Sequence, residues 1–113
     1  MADASLECSM TSGSQVETAD CLIDVEEAVN AAMQVALDTA RSAAVELDEV
    51  TEREAAGPAL EAAQNAWMNL RETQCAYEGS LFGGGSGTGI AIQACRITMT
   101  RDRTRQLFAL NQY

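Results

Sequence analysis

The chain has no lysine and no histidine; its seven basic residues are all arginine. Without histidine, the usual base of a serine or cysteine hydrolase is missing. Without lysine, a P-loop of the form G-x-x-x-x-G-K-[ST] cannot be written. Aromatic residues make up 4% of the chain, and there is one proline. No apolar run approaches the roughly 20 residues that a membrane-spanning helix needs. No C-x-x-C is present, which removes the thioredoxin-like redox motif. The opening "MADASLEC" has no apolar segment of the signal-peptide kind. It reads as the start of a processed chain, although a cytosolic protein would begin the same way.

What is present points to helix. The chain has 113 residues, 47% of them hydrophobic, and alanine dominates that fraction. That length suits one domain, 1–113, with one core. Ala-rich, Glu-rich sequence with little proline favours helices. Only "GIAIQA" (89–94) looks strand-like, and it is short. The net charge is −10. Such a charge repels nucleic-acid backbones and anionic membranes and attracts a cationic protein. The acidity is uneven. Residues 1–57 carry thirteen acids and two arginines, whereas residues 58–113 carry four acids and five arginines.

The four cysteines, Cys8, Cys21, Cys75 and Cys95, allow three pairings. Their wide spacing and the missing histidine argue against zinc. "TSGS" (11–14) lies midway between the first two, and "GGGSG" (83–87) midway between the last two. In an antiparallel helical hairpin, residues equally far from the turn face each other. The spacing therefore predicts Cys8–Cys21 and Cys75–Cys95, each worth about 3 kcal/mol by the loop-entropy account. Two bridges imply an oxidising compartment, the periplasm or the exterior. The alternative is four buried thiols in a cytosolic protein.

Periodicity predicts a short helix at 3–10 and a long one from Gln15 to Asp48. The apolar stripe of the long helix is Leu22, Val25, Val29, Met33, Ala36, Leu37, Ala40, Ala44 and Leu47. Thr51 and Glu54 fit a capping box, and Gly57-Pro58 a helix start. The third helix is placed at 58–79, with Leu60, Gln64, Trp67, Arg71, Cys75 and Glu78 on one side. Gly79 and the glycines after it are expected to stop it. The fourth runs from Thr88 to Leu110, with Ile92, Cys95, Met99, Arg103 and Leu107 on one side.

Some residues need a separate account. Gly85, Gly87 and Gly89 do not make G-x-G-x-x-G, and a helix, not a strand, precedes them. The loop thus reads as a turn, and as an exposed loop it is also a place for partner contact. Trp67, the single tryptophan, is expected as a core anchor. Asn30, Gln64 and Arg71 sit on or beside apolar stripes, so they are expected to form a buried polar cluster with Trp67 that fixes helix register. Arg71, if buried, needs a carboxylate or carbonyls; Glu78 or an acid of the long helix is the expected partner. Arg96, Arg101, Arg103 and Arg105 are expected to pair with the acidic long helix. Paired acids of the glycosidase type are available in number, but most must be solvated helix faces.

"LEAAQNAWMNLRETQCAYE" resembles the L-x-x-A-Q-x-x-W-x-x-x-R-(D/E)-x-x-C pattern of the lysozyme inhibitor LprI-like family, through Leu60, Ala63, Gln64, Trp67, Arg71, Glu72 and Cys75. "GGGSG" followed by Cys95, Thr100, Arg103 and Leu107 resembles the family's glycine loop and last helix. "CLIDVEEAVNAAM" resembles an earlier segment, with Cys21 and Asn30 retained. The sequence departs at Glu26, Val29 and Met33, where the family usually shows Asp, Leu and Tyr. The resemblance covers nearly the whole chain. It implies a small exported bacterial helical domain, some of whose relatives bind and inhibit lysozyme.

The expected fold is therefore all-α: a small bundle of about four helices with a long second helix, stapled by two disulfides. The expected function is a non-catalytic exported protein that binds cationic lysozyme-like enzymes. It needs no cofactor and no metal, and its partner-binding positions are Gly85, Ser86 and Gly87. The rival reading is an envelope structural or interaction module without lysozyme inhibition.

Overall fold

The computed structural model describes residues 4–11 and 13–111. They form α1 (Ala4–Thr11), α2 (Gln15–Thr51), α3 (Ala56–Ser80) and α4 (Thr88–Leu110). No strand occurs among the described residues, and the strand-like run 89–94 forms the first turns of α4. Asp3, at the expected start of the first helix, and Ser12 of the first turn lie outside the described residues.

The molecule is a rod of 55 × 26 × 19 Å with a radius of gyration of 16.8 Å. A compact domain of this size would have a radius of about 13 Å. The cause is α2. Its 37 residues, at about 1.5 Å each, span about 55 Å, the full length of the rod. The shorter helices α3 and α4 pack along it, and α1 caps one end against α2 and α4.

Each boundary has a local cause. Ser14 caps α2: its hydroxyl accepts the Glu17 N–H at 3.2 Å, and the Glu17 carboxylate accepts the Gly13 N–H at 2.8 Å. The S-x-x-E signature of a helix start is thus Ser14–Glu17. Thr51 and Glu54 do not form the expected capping box. Thr51 is the last residue of α2, and its hydroxyl donates back to Leu47 O. The next residue, Glu52, turns the chain with φ 56° and ψ 43°, a left-handed conformation that disfavours a side chain. Asp48 then caps α3 from the preceding helix. Its carboxylate accepts N–H groups from Ala55, Ala56 and Gly57 at 2.9–3.3 Å. Pro58 falls in the first turn of α3, where its missing N–H costs nothing.

Two apolar clusters make the core. One joins Ala4, Cys8, Leu22 and Ile97, with Cys21, Val25, Val29 and Ile90 against it. The other joins Ala36, Leu37, Ala40 and Leu107, with Leu60 against it. Burying Leu22, Ile97 or Leu107 is worth about 1.5–3 kcal/mol each relative to exposure. The alanines at 36, 40 and 44 repeat every four residues and let neighbouring helices approach closely. Ile97, Thr100 and Ala94 are buried members of α4 that the expected stripe omitted. Leu47, expected in the core, is 54% exposed, because the neighbouring helix ends leave an open groove over it.

Both disulfides join the expected partners, Cys8–Cys21 and Cys75–Cys95, with Cα–Cα distances of 5.7 and 5.5 Å. The first ties α1 to α2; the second ties α3 to α4 below the glycine loop.

Candidate functional site

The glycine loop is built at the disulfide-stapled end of the α3–α4 hairpin. Gly79 does not stop α3, as the sequence had implied. It is buried inside the helix, where a Cβ would lie 2.5 Å from Ile92 Cγ1. Its role is the close approach of α3 and α4. The helix ends one residue later, at Ser80. A ladder of tight turns follows: Leu81 N–H to Glu78 O, Phe82 to Gly79, Gly83 to Ser80, Gly85 to Phe82, and Thr88 to Gly85, at 3.0–3.2 Å. Gly83 and Gly84 have φ of 63° and 79°, which glycine adopts freely. The loop is therefore an ordered turn with most of its surface in solvent.

Leu81 and Phe82 give this loop a chemical character that reading its glycines missed. Leu81 is 67% exposed and Phe82 55% exposed. The Phe82 ring lies against Gly87, where a Cβ would stand 3.2 Å from the ring edge. One edge of the ring thus rests on the loop backbone, and the rest of the side chain is open to solvent. Beside it runs a groove of about 310 Å³ whose lining includes Ser5, Glu78, Ala94 and Met99. Gly85 and Ser86 are exposed and Gly87 half-buried. The signal available in the sequence was two large apolar residues placed directly before glycines, where no core could take them.

An acidic stripe lies on the same half of the rod. Glu17, Asp20, Asp24 and Glu27 are all exposed and recur by threes and fours along the first turns of α2. That part of α2 shares a core cluster with Ile90, three residues after the loop. The loop end is therefore an apolar tip on the same half of the rod as an acidic, solvent-facing stripe. No titratable side chain lies in residues 81–87. No group of three or more His, Cys, Asp or Glu suited to a metal ion occurs among the described residues.

The expected polar cluster exists only in part. Gln64 is buried, accepting from Arg103 Nε at 3.0 Å and touching Met33 Sδ at 4.0 Å. Arg71 donates to buried Thr100 Oγ1 at 3.2 Å and pairs with Glu72 at 3.0 Å. These residues form a polar layer between the two apolar clusters. Burial holds the Arg103 guanidinium below its ordinary pKa. Asn30 does not join them: it is exposed, because it falls off the buried line of Val29, Met33 and Ala36. Trp67 is not a core anchor. It is half-buried, with the Arg71 guanidinium 5.0 Å from its ring centroid, a cation–π contact. Glu78 is not Arg71's partner; it accepts from Gln74 at 3.0 Å.

The arginines of α4 divide among several partners. Arg96 pairs with Glu26 of α2, as expected. Arg101 instead reaches Glu7 of α1 at 3.4 Å, and Arg105 pairs with Asp102 on its own helix. Arg103 donates to two glutamines, Gln64 and Gln106.

Compared with known proteins, residues 7–107 match the family described as Lysozyme inhibitor LprI. No curated protein and no solved structure matches the chain. No helix among the described residues is long and apolar enough to cross a membrane.

Proposed function

The chain belongs to the LprI lysozyme inhibitor family, and from that premise we propose that it is a non-catalytic protein that binds and inhibits cationic, lysozyme-like enzymes. The observation that carries this reading is the loop end: an ordered, disulfide-anchored tip with exposed Leu81 and Phe82, on the same half of the rod as the solvent-facing acidic stripe of α2. The tip, with Gly85, Ser86 and Gly87, enters the partner's cleft. A large exposed aromatic side chain suits the centre of an interface. The acids steer a cationic partner and raise its association rate more than they fix specificity. Residues 1–113 act as one domain, in the periplasm or outside the cell, where the two disulfides persist.

The test is inhibition of c-type and g-type lysozymes by the oxidised protein at low and at moderate salt. The reading expects stoichiometric inhibition that weakens with salt, because screening shortens to about 10 Å at 0.1 M. No inhibition and no binding at high micromolar protein would reject it for those enzymes and favour an envelope interaction module.

A further inference from the structure

The end of the rod away from the glycine loop carries a second feature, independent of the lysozyme reading. There the last turns of α2 and α4 and the first turns of α3 leave a groove of about 550 Å³ lined by Leu47, Val50, Leu60, Leu107 and Leu110. Val50 is 78% exposed and Leu110 63% exposed. These side chains continue the core cluster of Ala40 and Leu107 outward, where no element of the described fold covers them.

The rim is acidic. Glu46 lines the groove and also borders the neighbouring depression with Glu49. Glu52 and Glu54 stand exposed at the α2–α3 corner. Arg41, the cation of that depression, already binds Glu61 at 2.6 Å and lies 3.7 Å from Asp38. Arg53 lies close enough to Asp48 to favour that residue's charged form. The surface is thus an apolar trough with negative edges.

We propose that this groove is a second docking surface, which takes a basic amphipathic helix of a partner protein. Aliphatic side chains at i, i+3 or i+4 and i+7 of such a helix would fill the trough between Leu47, Val50 and Leu110. Its flanking Lys or Arg residues would meet Glu46 and the acids of the α2–α3 corner. A second copy of this chain fits poorly, because a symmetric pairing sets the same acids against each other. An anionic lipid meets the same repulsion. The two surfaces stand about 37 Å apart along α3, from its 25 residues at about 1.5 Å each. One molecule could therefore hold two partners.

The experiment titrates the oxidised full chain with a synthetic Leu/Lys amphipathic helix of about 14 residues, long enough to be helical when bound. Methyl NMR of Leu47, Val50 and Leu110 reads the site. The proposal expects saturable shifts at those methyls. It also expects binding about tenfold weaker in Glu46→Gln/Glu54→Gln, and no effect of Phe82→Ala. Four outcomes would overturn it: no shifts at millimolar peptide, equal binding of a Leu/Glu helix, the same shifts on raising protein concentration alone, or a fatty acid binding where the Leu/Lys helix does not. Failure to inhibit lysozyme leaves these readouts untouched.

Discussion

At the scale of single residues, contacts overrule composition. Gly79 looked like a helix stop and is a helix-packing residue. In an ordinary helix interior, Gly→Ala gains about 1 kcal/mol. Here the new Cβ would meet Ile92 Cγ1 at 2.5 Å and Cδ1 at 2.8 Å. We expect Gly79→Ala to destabilise instead, by about 1–3 kcal/mol in urea unfolding. Adding Ile92→Ala removes the clash, so the double variant should lose less than the two single losses together. Strict additivity would argue against the close approach. Asn30 and Trp67 show the limit of residue-level reading. In α2, Ala31, Ala32 and Ala43 are exposed while Ala36, Ala40 and Ala44 are buried. Alanine on both faces blurs the apolar stripe, so a polar residue beside it cannot be assigned a face. Gln64 was legible, since its stripe includes Leu60 and Cys75, which leave less doubt.

At the scale of the element, the helices themselves were legible, and so were several of their ends, but the corner between α2 and α3 was not. The last helix, 88–110, was placed to the residue, and the long helix began where expected. The corner between α2 and α3 was misread because T-x-x-E describes a start signal without saying which helix owns it. Two devices build that corner instead. One is Glu52 in the left-handed region. We expect Glu52→Gly to stabilise by up to about 1 kcal/mol, the order of the left-handed penalty for a side chain less glycine's extra entropy. A clear loss in thermal unfolding would contradict the assignment. The other device is Asp48. Hydrogen bonds from the Gly57 and Ala56 N–H groups hold its carboxyl below the ordinary carboxylate value. The Arg41 guanidinium does the same for Glu61. A depressed folded pKa gives stability that is present above the unfolded value and lost as pH falls through the folded one. Stability should therefore decline below about pH 4, the unfolded Asp value. Asp48→Asn should lower the urea midpoint at pH 7 and flatten that acid decline. An unchanged acid decline would exclude the cap as its source.

At the scale of the whole molecule, one long helix sets the shape, and both disulfides lie in the half of the rod that carries the glycine loop. The pairing of Cys8 with Cys21 and of Cys75 with Cys95 was readable, because each pair straddles a turn symmetrically. The rod shape was implicit in the length of α2. The apolar character of both ends was not, since it depends on where the neighbouring helices stop. Family membership names the class of partner to be tried, and the proposal puts the contact at the loop end. Phe82 decides whether that account holds. The most direct measurement is a lysozyme inhibition titration comparing the oxidised chain with its Phe82→Ala variant, whose folding is checked by unchanged helicity. The account predicts that the variant needs about 30-fold more protein for equal inhibition, the value of a hot-spot loss near 2 kcal/mol. Equal inhibition by the two proteins would contradict it and move the inhibitory surface away from the glycine loop.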